Sequence, residues 1–283
     1  MGAADLERRT ITAVVYAVVV LAALFAPAPT FIVLVAILAV LGYLELRGLF
    51  RYTPYQPWAI GAVVTFAFVI VHLSASVWSG GFAVMSLAVI SVFGVITIIV
   101  LLRQAARGRP VPGVLGALFT LAGAIYLGLM FGFMVDLWMA GANGTRGWLG
   151  DLPVWLILAL VPTWVGDSVA YLVGSRMGQN KIAPRISPGK TWEGTLAGFG
   201  GAGVAALLIG VSAGLHTVPA VLVALLVGPV GFAGDLFESA IKRAAGAKDS
   251  GTLFPGHGGV LDRIDSLIFV APTVALVLSL ALQ

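Results

Sequence analysis

The sequence predicts an all-α, polytopic membrane bundle of about nine transmembrane helices. Three observations predict it. Of 283 residues, 60% are hydrophobic and 10% charged, with a mean hydropathy of +1.05. The apolar residues fall in runs of about twenty, the length at which a helix rising 1.5 Å per residue crosses roughly 30 Å of hydrocarbon. The few basic residues lie between these runs in a one-sided pattern. Lipid offers backbone amides no partners, so spanning elements must be helices or a closed barrel, and continuous rather than alternating apolar runs select helices.

The nine runs lie near 10–27, 30–46, 58–74, 82–102, 114–135, 152–173, 194–213, 218–238 and 266–282. The first follows Arg8-Arg9 and ends in Ala26-Pro27-Ala28, which imitates a signal-peptide cleavage site. Its apolar stretch exceeds the roughly 7–15 residues of a signal core and further spans follow, so it reads as an uncleaved first span. With the N-terminus cytoplasmic, Arg8 and Arg9, then Arg47 and Arg51, then Arg103, Arg107 and Arg109 face one side, as do Arg176, Lys181, Arg185, Lys190, Lys242, Arg243, Lys248 and Arg263. Of the 16 Lys and Arg, Arg146 alone faces the other. Adding or dropping one span would flip every later loop and destroy this positive-inside asymmetry, which also places the C-terminus outside.

Residues 1–283 read as one membrane domain: 1–150 hold helices with little motif content, and 151–283 a catalytic half with polar cytoplasmic loops at 174–193 and 239–265. Gly128 with Gly132, Gly194 with Gly198 and Gly210 with Gly214 stand four apart on spans, where small residues let helix backbones approach, within one bundle or across a homodimer. The absence of cysteine excludes disulfides and thiolate metal sites. A pI of about 9.6 invites a nucleic-acid reading, but basic residues beside spans answer to topology and lipid headgroups.

Chemistry is concentrated in Ser239 to Asp265, where three carboxylates, four basic groups, a histidine and five glycines share 27 positions. Ahead of it, Asp235, Glu238, Ser239 and Lys242 fall at i, i+3, i+4 and i+7, one stripe of a helix. Asp262, Asp265 and Ser266 repeat the i, i+3, i+4 pattern at the start of the last span. If the two helices are neighbours, Asp235 and Asp262 face one another, and carboxylates without thiols or paired histidines favour a hard cation such as Mg²⁺. Between them Pro255-Gly256-His257-Gly258-Gly259 can turn backbone N–H groups toward an anion. Lys242, Arg243, Lys248 and Arg263 surround it with positive charge. Metal, anion nest and basic clamp describe phosphoryl or nucleotidyl transfer. In the sixth span Asp167 is an intramembrane acid, a functional candidate by type. Ser187-Pro188-Gly189-Lys190-Thr191 ends like a phosphate-binding loop, but Pro184 stands where the earlier glycine is required and an all-helical chain supplies no preceding strand. Lys190 is instead expected to reach a phosphate from a turn stiffened by Pro188 and Gly189. His257 and Asp262 also fit the H-x4-D pattern of acyltransferases, a reading that leaves Asp235, Lys242, Asp249 and Asp265 without a role.

Ser239-x-x-Lys242-Arg243, Lys248-Asp249-Ser250-Gly251, Pro255-Gly256-His257-Gly258-Gly259 and Leu261-Asp262-Arg263-Ile264-Asp265 together resemble the signature of the phosphatidate cytidylyltransferases, the CDP-diacylglycerol synthases. Asp167-Ser168, the run Ser187 to Gly194 and Gly234-Asp235-Leu236 resemble that family too, so the likeness covers roughly 160 to 270; Phe254 departs from it. The resemblance implies metal-dependent transfer of CMP from CTP to phosphatidate at the cytoplasmic face of the cell membrane, with release of pyrophosphate. It implies Asp235 and Asp262 as metal ligands, with Asp167 a further candidate, and leaves open whether a second cation joins Mg²⁺. Asp265, Lys242, Arg243 and Asp249 join them in the catalytic set. Ser187, Lys190, Ser239, Lys248, His257, Gly258, Gly259 and Arg263 would bind substrate phosphates. A cytidylyltransferase for another lipid phosphate, and an ion-coupled transporter using Asp167 and Asp235, are the rival readings.

Overall fold

The computed structural model describes residues 18–20, 22–74, 80–108, 110–142, 153–254 and 258–281. They form two compact units, one of Met1–Asp136 with Asp249–Arg263, the other of Leu137–Lys248 with Ile264–Gln283.

The first unit contains α1 (Ala28–Leu49), α2 (Gly61–Ser74), α3 (Gly80–Ala105), α4 (Pro110–Ala124), a π-helical segment at Ile125–Met130 and the first half of α5 (Phe131–Ala142). Helix α1 starts where Pro27 and Pro29 can sit without cost, since the first helical amides have no partner within the helix. Helix α2 packs against α1, α3, α4 and the π segment. Its Val64 and Phe68 form a buried cluster with Phe93 and Ala124. Glycine sets the closeness of one contact: a Cβ on Gly128 would stand 2.5 Å from the Thr65 carbonyl oxygen. Beside it His72, buried on α2, bonds the buried Asp136 through Nδ1 and the Leu129 carbonyl through Nε2 at 2.8 Å. Gly132 makes the seat for that ring, since a Cβ there would lie 2.4 Å from His72 Cδ2.

The second unit contains α6 (Val154–Met177), strands β1 (Lys181–Ala183) and β2 (Ser187–Thr191), α7 (Trp192–Ser212), α8 (Thr217–Ala244) and α10 (Leu267–Ala281). The short α9 (Leu261–Ile264) lies at the boundary between units. Helix α6 runs along α7, α7 packs on α8, and α10 packs on α8 and α6. Four glycines bring α6 and α7 together: a Cβ on Gly194 would lie 2.6 Å from the Ala170 oxygen and 2.9 Å from Gly174 Cα, and one on Gly198 would lie 2.8 Å from the Gly166 oxygen. The Gly194 and Gly198 spacing therefore serves packing inside the bundle. Gly214 does something else. It follows the end of α7 with φ +83°, and Leu215 N–H reaches the Gly210 oxygen, so it terminates a helix.

The all-helical expectation needs one correction. Residues 181–191 form an antiparallel hairpin pairing Lys181 with Thr191 and Ala183 with Ser187, with the register broken between. Pro188 lacks the amide a regular ladder needs, which is why the irregularity falls on β2. Lys190 thus comes from a strand, and Thr191 ends that strand by capping α7, its hydroxyl accepting the Gly194 N–H at 3.3 Å. The phosphate-loop reading stays excluded, because Pro184 still occupies the required glycine position.

Among the described residues seven helical stretches are long and apolar enough to cross a membrane: Ala28–Leu49, Ala83–Ala105, Gly113–Ala140, Val154–Met177, Trp192–Ser212, Thr217–Ala244 and Leu261–Ala281. They turn much of their apolar surface outward; Val84, Leu87, Ile98 and Leu102 of α3 are all exposed, which suits lipid as the solvent. The chain is a helical membrane protein. The third run corresponds to the 14 residues of α2, about 21 Å of helix at 1.5 Å per residue. Half of the first run, 10–17 and 21, lies outside the described residues.

Candidate active site

The second unit holds a cleft of about 690 Å³ between α6, the hairpin, α7 and α8, within the roughly 300–1,000 Å³ common for small-molecule sites. Asp167, Ser187, Lys190 and Asp235 give it polar groups, and Phe199, Ala202, Val227 and Phe232 an apolar wall. Glycines at 166, 174, 194, 198, 228 and 231 line it, so the residues that let helices approach also keep its volume open.

The predicted stripe on α8 is present and internally bonded. Ser239 Oγ donates to Asp235 Oδ1 at 3.3 Å, and Lys242 Nζ pairs with Glu238 Oε1 at 3.0 Å, each four residues apart. Lys190 joins the stripe from β2, its Nζ 2.5 Å from Asp235 Oδ2 and 4.8 Å above the Phe232 ring. Lys190 therefore delivers a positive charge to Asp235 while stacking on an aromatic face. Asp167 and Asp265 both lie within electrostatic reach of Asp235, answered by Lys190 and Lys242 respectively. Asp265 Oδ1 also accepts the Ser266 N–H at 2.6 Å.

Arg243 is bound differently from its sequence reading as a phosphate clamp. Its Nε donates to the Ile186 oxygen at 3.1 Å and Nη1 to the Ala247 oxygen at 2.9 Å, bracing the hairpin turn against the end of α8. Glu193 braces the other side of the hairpin, accepting Gln179 and Asn180 N–H groups and, at 2.6 Å, the Asn180 amide. Lys248 and Asp249 are exposed.

Asp262 belongs to the first unit. Its Oδ2 accepts Ser250 N–H, Ser250 Oγ and Gly259 N–H, each at 2.8 Å. The Gly259 amide thus holds a carboxylate of the protein itself, which an incoming phosphate would have to displace. Gly258 adopts φ +83° and its oxygen takes the Phe254 N–H at 2.9 Å. Arg263 is half-buried beside them, and His257 lies outside the described residues. Sequence reasoning missed Glu45 of α1. Its Oε1 accepts Val260 N–H at 2.9 Å, and its Oε2 accepts Leu261 N–H at 3.0 Å and lies 3.1 Å from Ser250 Oγ. A carboxylate inside an apolar run was the available signal. The same signal was available for Asp136.

The profile of the family described as "Cytidylyltransferase family" matches residues 7–281. The chain belongs to that family. It is a nucleotidyltransferase. The phosphatidate cytidylyltransferase of Bacillus subtilis strain 168 is 31% identical over 279 residues, 98% of both chains. A phosphatidate cytidylyltransferase of Synechocystis is 42% identical over 149 residues, 50% of this chain and 47% of its own length. The uncharacterized protein YnbB of Escherichia coli K12 is 51% identical over 124 residues, 44% of this chain and 41% of its own. The match thus spans under half the length of these last two relatives and nearly all of the first.

A family of this chemistry implies a divalent metal. Among the described residues no three or more His, Cys, Asp or Glu gather closely enough to hold one. Mg²⁺ asks for less: one or two carboxylates, with waters and substrate phosphates completing its shell. Asp235 and Asp167 in one cleft meet that need with hard oxygen donors, so the donor set fits.

Proposed function

We propose that the protein transfers CMP from CTP to phosphatidate, yielding CDP-diacylglycerol and pyrophosphate. The observation that carries this reading is the alignment with the Bacillus subtilis phosphatidate cytidylyltransferase across 98% of both chains. The cleft supports it, because one wall is charged and another apolar, as a nucleotide and a lipid headgroup together require.

An oxygen of the lipid phosphate attacks the α-phosphorus of CTP in line. The new P–O bond forms as the bond to the bridging oxygen breaks, and the electron pair leaves with pyrophosphate. The nucleophile is already anionic, so no strong base is needed; the task is to bring two polyanions together. Lys190 suits it, since its ammonium can pass from Asp235 to a phosphate oxygen without leaving the cleft. Lys242 and Ser239 hold the stripe that presents Asp235, and Ser187, Lys248, Arg263, Gly258 and His257 remain our candidates for phosphate contacts. Asp235 and Asp167 would hold Mg²⁺, which when bound neutralises developing phosphate charge and orients the reactants. The signature resemblance assigns metal to Asp262 as well.

Purified protein in detergent, supplied with labelled CTP, Mg²⁺ and phosphatidate, should release pyrophosphate and CDP-lipid in equal amounts, and omission of the metal should stop both. Parallel reactions with other lipid phosphates decide the acceptor. Faster turnover with one of those would move the assignment to it, and no nucleotidyl transfer to any lipid phosphate would end it.

We further propose nine crossings, with the N-terminus and the site on the cytoplasmic side. The chain lacks cysteine, so single introduced thiols report cleanly. Arg51→Cys and Arg107→Cys should both react with an impermeant maleimide only from the cytoplasmic face; labelling of the two from opposite faces would refute the count.

A further inference from the structure

Glu45 is a half-buried acid in the apolar run of α1, and the chemistry above gives it no role. An acid in such a run is costly to keep and needs a reason. Its bonds supply one, because all are made to a segment more than 200 residues away in sequence. The Val260 and Leu261 amides point at its two oxygens, and Ser250 Oγ lies 3.1 Å from its Oε2 and 2.8 Å from Asp262 Oδ2. Ser250 has one hydroxyl proton for two carboxylates, so Glu45 and Asp262 are spaced across a single shared donor.

The signature glycines fit this arrangement. A Cβ on Gly259 would come within 2.3 Å of Glu45 Oε2, one on Gly251 within 2.7 Å of Glu45 Oε1, and one on Gly258 within 2.3 Å of Asp262 Oδ2. These glycines admit the protein's own carboxylates to the backbone. The described residues 249–254 and 258–263 are therefore arranged around Glu45 as much as around Asp262.

We propose that Glu45 is a positioning residue for the transfer reaction, fixing the backbone at Val260 and Leu261 and, through Ser250, the direction of the Asp262 carboxylate. It touches no substrate. The role rests on the cytidylyl-transfer reading, in which Asp262 is a working group of the signature. Glu45→Gln keeps the side-chain size but turns an NH₂ toward backbone donors, so at least one of the two amide bonds is lost. The cleft contacts of Lys190 and Asp235 are made in the other unit and are left as they are. The loss should then fall on the chemical step.

The test compares wild type, Glu45→Gln and Ser250→Ala, purified in detergent, by steady-state kinetics and by hydrogen exchange of the 249–263 segment. Glu45→Gln should lower kcat about 10–100-fold, the range seen when a supporting partner of a working carboxylate is removed. KM for CTP should stay within about twofold. Exchange in 249–263 should quicken while the rest of the chain keeps its protection. Ser250→Ala retains both Glu45 backbone bonds and should show the same split with a smaller fall in kcat. Wild-type kcat in Glu45→Gln, or unchanged exchange in 249–263, would overturn the proposal. Should Glu45→Gln fail to fold, Ser250→Ala decides alone, and unchanged kcat there overturns it. Quickened exchange in a protein whose wild type makes no CDP-lipid would uphold the positioning of the loop and sink the functional reading instead.

Discussion

Asp235→Asn should lower turnover by at least about a hundredfold, the scale on which removal of one preorganised charge-stabilising group is felt. Asp235 is the point at which the cleft's groups converge, bonded to Lys190 from β2 and to Ser239 from its own helix, with Asp167 and Asp265 in electrostatic reach. An amide there is nearly isosteric, so packing is preserved and what disappears is charge. Two things follow: the cleft loses a carboxylate that the proposed function gives to a cation, and Lys190 loses the partner that holds it above Phe232. The pair is only partly buried, with Lys190 and Asp235 side chains 20% and 31% exposed. Solvent screening therefore keeps its contribution to stability small. Thermal unfolding of the variant in detergent should stay close to wild type while CDP-lipid formation collapses. A bracing role alone would give the opposite pattern, lowered stability with kcat retained, and full activity would remove Asp235 from the reaction. Lys190→Met separates the partners: it should raise KM for CTP or lower kcat, since the ammonium it removes is the cation nearest the acid.

Much of this site was legible because helical spacing is strict. Asp235, Glu238, Ser239 and Lys242 had to share a stripe once α8 was helical, and the bonds Ser239–Asp235 and Lys242–Glu238 run along it. Membrane class was legible for the same reason, since lipid leaves the backbone few choices. The hairpin at 181–191 was not, because five residues interrupted by Pro188 and Gly189 carry no alternating pattern. Arg243 read as a free cation because sequence cannot show that the Ile186 and Ala247 oxygens would take its guanidinium. Glu45 and Asp136 were passed over for a related reason. Each is a lone acid in an apolar run, and its meaning lies in contacts with residues distant in sequence: Ser250, Val260 and Leu261 for one, His72 for the other.

The pair of His72 and Asp136 makes the largest stability prediction. Nε2 of His72 faces the Leu129 oxygen at 2.8 Å, and a carbonyl only accepts, so that nitrogen carries a proton. The dyad's other proton lies between Nδ1 and the Asp136 carboxylate. Both side chains are buried, His72 at 3% and Asp136 at 5% exposure, so neither can turn to water if the other is lost. Asp136→Leu should accordingly destabilise the protein by about 3–5 kcal/mol, the usual penalty for removing one partner of a buried, directly bonded ionisable pair. Replacing both members should cost far less, because a well-packed apolar pair avoids the desolvation that the polar pair incurs. His72→Leu combined with Asp136→Leu should thus recover most of the loss. It should fall short of wild type by about 1 kcal/mol, since Leu129, in the π-helical segment, is left without the imidazole donor. Denaturant unfolding of the two single variants and the double variant in detergent measures the coupling directly. A double variant as unstable as Asp136→Leu alone would mean that the imidazole's shape, seated on Gly132 and edge-on to Phe133 at 4.9 Å, matters more to α2 packing than its bond to Asp136 does.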